Sequence, residues 1–110
     1  MAHGNFEPTL TLDPGGMSLM ACGPLHWNEP IPGGRRSQIW AQIEQGATLG
    51  SSARSRDFQP SDSEWEVPVR VIKGGPFVSG QPATARAAAV IAMDHGEQIV
   101  DIWQDTVQLV

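Results

Sequence analysis

The sequence predicts an all-β fold, a small β-sandwich, and three observations lead there. Apolar and polar residues alternate with period two over residues 36–45 and 64–71, the spacing of strands buried on one face. Turn-forming clusters separate the runs before residue 80 at intervals of about 8 to 12 residues, as in sandwich folds. Gly and Pro supply 21 of the 110 residues, above the usual ~12% and below the ~25–30% of low-complexity chains. Such a chain has many turns and still folds.

At 110 residues a single domain over 1–110 is expected. Leu, Ile, Val and Phe make up 24 residues, about a fifth of the chain, just above the level at which chains fail to collapse. Residues 8–12 and 17–22 read as two extended pieces around Asp13-Pro14-Gly15-Gly16, whose residue types favour a tight turn. A hairpin is the expectation. Residues 23–36 carry Pro24, Pro30, Pro32, Gly33 and Gly34, which predicts a Pro/Gly-rich loop rather than helix or central strand. Ile39, Ala41 and Ile43 alternate with Gln38, Trp40, Gln42 and Glu44 in a strand that Gly46 ends. Residues 50–63 are polar and aperiodic, the mark of a long surface loop. Trp65, Val67, Val69 and Val71 alternate with Glu64, Glu66, Pro68 and Arg70 in the clearest strand of the chain, and Pro68 points to a sheet edge.

The last thirty residues support two patterns. As helix, Ile99, Val100, Ile102, Trp103, Thr106, Val107, Leu109 and Val110 fall on one side and the polar residues on the other. The six alanines of residues 82–95 and Gly96 after them also suit a helix. This alternative makes the chain α+β, with a C-terminal helical hairpin over 82–110. As strands, Ala83, Ala85, Ala87, Ala89, Ile91 and Met93 line one face, Asp94-His95-Gly96 is a hairpin turn, and a bulge near residues 101–103 carries the alternation onward. The β-branched and aromatic content after residue 97 and the strand-like first half favour the all-β choice. In architecture alone the pattern resembles an immunoglobulin-like or fibronectin-like sandwich, without the paired cysteines of antibody domains, since Cys22 is the only cysteine. No function follows from such a likeness.

The net charge of −5 opposes binding to nucleic acid and anionic lipid. No stretch approaches the ~18 apolar residues of a membrane span, and residues 1–13 lack the charged start and apolar core of an export signal. One cysteine suits a reducing compartment. A cytoplasmic location, or a place in an assembled particle, is expected.

Chemistry-bearing patterns are sparse. Cys22 and His26 stand four apart, as metal ligands or a thiol with its base can, but three or four ligands are needed and only His3 and His95 remain. A small buried thiol is the simpler account. Glu64 with Glu66, and Asp101 with Asp105, are carboxylate pairs of the kind that serve acid and base catalysis, yet strand alternation already explains the first pair. Phosphate-loop, dinucleotide and nucleophile-elbow motifs are absent from the sequence. Arg35-Arg36 and the Arg54 and Arg56 pair are basic loop clusters suited to the acidic residues Asp94, Glu97, Asp101 and Asp105 of the same chain or of a neighbouring copy. Of four tryptophans, Trp40, Trp65 and Trp103 sit in element patterns and suit a core. Trp27 sits in the expected loop, where it can stack on a sugar or anchor a partner.

The expected function is therefore a non-enzymatic structural or protein-interaction subunit of a larger assembly of the virion, appendage or surface-array type. It needs no cofactor and no metal, and its partners are copies of itself or other subunits. The candidate contacts are Trp27, Arg35, Arg36, Arg54, Arg56, Asp101 and Asp105. The alternative is a carbohydrate- or peptide-binding module using Trp27 and its loop.

Overall fold

Eight strands build the protein in its computed structural model, which describes residues 2–27, 37–52, 63–93 and 96–110. They are β1 (Ala2–Gly4), β2 (Thr9–Leu10), β3 (Ser18–Trp27), β4 (Ser37–Gln45), β5 (Thr48–Ser52), β6 (Glu64–Lys73), β7 (Pro82–Met93) and β8 (Gly96–Leu109). All lie in one sheet in the order β1-β3-β6-β5-β4-β7-β8-β2. β1 and β2 belong to the same N-terminal segment, so the two ends of this order meet and the sheet is nearly closed, like a barrel. The sheet is mixed: β2 runs parallel to β8, and every other neighbouring pair is antiparallel. The all-β expectation holds, and the helical hairpin over 82–110 is overturned. The sheet's continuity means that two separate immunoglobulin-like layers do not follow from its hydrogen bonds.

The long β7–β8 hairpin explains why strands win. On a strand, Ala83, Ala85, Ala87 and Ala89 all turn to the barrel interior and are buried. Ala89 pairs with Asp101 but Val90 with Ile99, so Val100 is the extra residue of a bulge. That bulge lies one position before the expected 101–103 window. It shifts the alternation, so that Trp103, Val107 and Leu109 all face inward. The apolar pairs Ile99-Val100 and Ile102-Trp103 on either side of Asp101, which mimic a helix face, belong to a strand with one residue inserted.

Four expectations are corrected by the pairing. β3 does not stop at Cys22. It runs through Gly23 and Pro24 to Trp27, flanked by β1 on one side and β6 on the other; the loop expected over 23–36 therefore loses its first five residues. Residues 50–52 of the expected 50–63 loop form the end of β5. There Ser52 is buried, and its hydroxyl accepts a hydrogen bond from the Ala41 N–H at 2.8 Å, which satisfies a polar residue that reads as loop. β6 is interior, between β3 and β5, despite Pro68. Val71 donates to the carbonyl of Met17, just before β3, so by alternation the Pro68 nitrogen faces the β5 side, where β5 ends at Ser52 opposite Val69. The fourth concerns residues 8–12. The Asp13–Gly16 turn exists, with Gly16 donating to the Asp13 carbonyl at 3.0 Å, but Thr9 and Leu10 pair with β8, and a single Leu12–Leu19 bridge joins this stretch to β3.

The interior is filled. Leu10, Leu19, Ile39, Ile43, Val67, Val69, Val107 and Leu109 are all at most 1% exposed, and each such side chain contributes about 1.5–3 kcal/mol through burial. One end of the barrel is sealed by residues 74–81, which connect β6 to β7. There Phe77 inserts beneath Gly50, its N–H donating to the Gly16 carbonyl at 2.8 Å. The Gln45 side chain straps the same connection, accepting from the Val78 N–H and donating to the Val78 and Gln81 carbonyls. The opposite rim carries the ends of β1, β3, β4, β6, β7 and β8 at Ala2, Trp27, Ser37, Glu64, Met93 and Gly96.

Candidate functional site

The least regular place in the described structure is the seam where the N-terminal segment closes the sheet. Residues 2–7 run antiparallel to β3, with Asn5 donating to the Pro24 carbonyl at 3.2 Å and Glu7 to the Cys22 carbonyl at 2.8 Å. Residues 8–12 then turn to β8, with Gln108 donating to the Pro8 carbonyl at 2.8 Å and Val110 to the Leu10 carbonyl at 3.0 Å. Side chains replace backbone groups where this segment changes partners. Asn5 faces Pro24, which has no N–H to return the bond; the Trp65 indole N–H reaches the Asn5 carbonyl instead, at 2.9 Å. The inward turn of that carbonyl needs room at Gly23, where any Cβ would overlap the Asn5 oxygen. One residue on, the Phe6 N–H donates to Asp105 Oδ2 at 2.8 Å, so a carboxylate bridges the segment to β8.

An aromatic cluster lies under the seam. Phe6 and Trp65 meet edge to face at 4.9 Å between centroids, and Trp65 and Trp103 at 5.6 Å. Such pairs contribute about 0.5–1.5 kcal/mol beyond area burial. Trp103 stands in register with Ala87, and Ala87 with Ala41, small residues that leave space for its rings. A Cβ on Gly4 would come within 2.6 Å of Trp103.

The candidate contact residues scatter. Arg35, Arg36, Arg54 and Arg56 lie outside the described residues, as does His95. Trp27 ends β3 opposite Ala2 rather than sitting in a loop, so the reason for expecting it to project from a Pro-rich loop is gone. Asp101 is half-buried beside the β8 bulge. Asp105 is half-buried and its carboxylate holds the seam. Of the expected core tryptophans, Trp65 and Trp103 are buried, whereas Trp40 is half-buried on the outer face, because Ile39, Ala41 and Ile43 take the inward positions.

Cys22 lies half-buried opposite Glu66. Desolvation by burial, then the charges of Glu7, Glu66 and Glu64, push its thiol above the usual range, which disfavours the thiolate that nucleophilic or redox chemistry needs. His26 is exposed on the same strand face, and a spacing of four along a strand is about 13 Å. That separation keeps thiol and imidazole from acting as a pair. Among the described residues, no group of three or more His, Cys, Asp or Glu is placed to hold a metal, and no helix is long and apolar enough to cross a membrane.

What the sequence reading missed is an apolar row on the outer face. Trp40 pairs with Ala88, and Ala88 with Ile102, across β4, β7 and β8. Ile102 is 61% exposed, whereas Trp40 is half-buried and Ala88 buried. The signal was available as Trp40, Ala88 and Ile102 at positions that alternation assigns to solvent. On the other side of the barrel Met20, 46% exposed, faces Pro68. Comparison with protein-family models, with curated proteins and with solved structures finds no match.

Proposed function

We propose that this protein is a non-enzymatic structural or interaction subunit of a larger assembly, working through its outer surface. The observation that carries the proposal is Ile102, 61% exposed on the outer face beside the half-buried Trp40 and the buried Ala88, on a barrel whose interior is already filled. Exposed apolar patches mark contact surfaces more often than isolated exposed residues do. With extents of 42 × 25 × 19 Å the barrel is flattened, and its broad faces give the sandwich-like architecture its place in this reading. A location within an assembled particle and partners that are further copies of the chain belong to the same proposal.

The test is the native mass of the untagged protein by light scattering across a concentration series, with Ile102→Asp beside it. A defined oligomer that Ile102→Asp weakens supports the proposal. A monomer at every concentration, unchanged by the substitution, overturns it.

A further inference from the structure

The N-terminal segment lies between two strands that are each held by another neighbour. β3 is held on its far side by β6 from Ser18 to Pro24, and β8 is held by β7 along its length. Removing residues 2–12 would leave the edges of these two supported strands facing each other, with their hydrogen-bonding groups aimed into the gap. The groove is shaped for one sequence: Gly23 admits the Asn5 carbonyl, Trp65 supplies the donor that Pro24 lacks, Asp105 receives the Phe6 N–H, and Trp103 seats Gly4.

The connection back to β3 is short and depends on glycine. It is the turn over residues 13–16, in which Gly15 and Gly16 adopt φ of 91° and 71°, and a Cβ on Gly16 would come within 2.7 Å of the Phe77 carbonyl oxygen. Short hinges favour exchange of the element they tether, because an extended hinge gives up only the turn while every other contact is re-formed in the second copy. Extended, residues 13–17 span about 17 Å.

We infer that the groove between β3 and β8 is an intermolecular site, and that the occupant it accepts is residues 2–12 of a second copy of this chain, exchanged reciprocally. The inference rests on the assembly reading above and names its contact.

Glu7 faces Cys22 across the seam, its N–H on the Cys22 carbonyl, and facing positions in an antiparallel pair lie about 5.5 Å apart, within disulfide reach. The full chain carrying Glu7→Cys is equilibrated from micromolar to millimolar concentration, oxidised, and run without reductant. Its native mass is followed by light scattering, and a Cys22→Ser version sets the background. A covalent dimer whose share grows with concentration, together with a monomer oxidised when dilute that no longer associates, supports exchange. An intrachain bond at every concentration in a sample that is nonetheless dimeric overturns exchange and leaves the assembly reading standing. Monomers throughout overturn both. Gly15→Val gives an independent check. No heavy atom lies within 4 Å of a Cβ there, so the change acts on the positive-φ turn alone, and it is expected to raise the dimerisation constant roughly tenfold or more. An unchanged constant overturns exchange.

Discussion

The β7–β8 hairpin and the N-terminal seam solve the same problem in opposite ways. Both align strands along the barrel wall. The hairpin does so with consecutive residues, one bulge at Val100, and a row of small inward alanines. The seam joins residues almost the whole chain apart, as in the bond from Phe6 to Asp105, and uses side chains where the backbone cannot complete a ladder. Register in the hairpin follows from chain connectivity; in the seam it follows from the Trp65 indole, the Asp105 carboxylate and the space at Gly23. The hairpin's register therefore rests on connectivity, and the seam's on a few individual atoms.

The sharpest way to break the comparison is Gly23→Val. The added side chain must displace the Asn5 carbonyl, and a loss of about 3–5 kcal/mol is expected by denaturant unfolding, against about 1–3 kcal/mol for overpacking at Ala85 in the hairpin. Equal losses would show that the seam is no more demanding than the hairpin. Next comes Trp65→Phe, which strands the Asn5 carbonyl and costs about 1–3 kcal/mol for the hydrogen bond, beyond lost ring volume. Adding Pro24→Ala restores a backbone donor at the facing position, so part of that loss should return in a double-mutant cycle; strict additivity would argue against the indole standing in for the proline. Asp105→Ala removes the acceptor of the Phe6 N–H and is expected to cost about 1.5–3 kcal/mol, while Asp105→Asn, which keeps an acceptor oxygen, should cost less than half of that. The smallest effect concerns Cys22. With its pKa raised, the thiol should react with a neutral alkylating reagent more slowly in the folded protein than in denaturant near pH 8, and neutralising Glu7 and Glu66 together should speed it up. The sign extends to stability: the folded state favours the protonated thiol, so this group adds nothing below its ordinary range and destabilises as pH climbs above it.

Much of the hairpin half was legible in the sequence because its signals are local. Ile39, Ala41 and Ile43, the Trp65 to Val71 alternation, and the inward alanines of β7 all sit where period two puts them. The seam was not legible, for a physical reason. Pro24 and Gly23 read as loop residues because local rules describe what a proline removes and what a glycine permits. They cannot describe a tryptophan forty residues later that supplies the missing donor. Ser52 and Pro68 misled in the same manner, since a buried hydroxyl that accepts from Ala41 and a proline set beyond the end of β5 are visible only once neighbours are known. Of the candidate contacts, Asp105 gained a defined role, but as the bridge that shuts the sheet.

The bond from Phe6 to Asp105 also sets an order of events. Strands β3, β6, β5, β4 and β7 can assemble as each emerges, but closure waits until residue 105 and the parallel partners Gln108 and Leu109 have been made. Until then the first dozen residues have only one of their two neighbours, and the most widely separated contacts in the chain form last. Folding dominated by such distant pairings is slow, so closure of the seam is the step that chain length delays most.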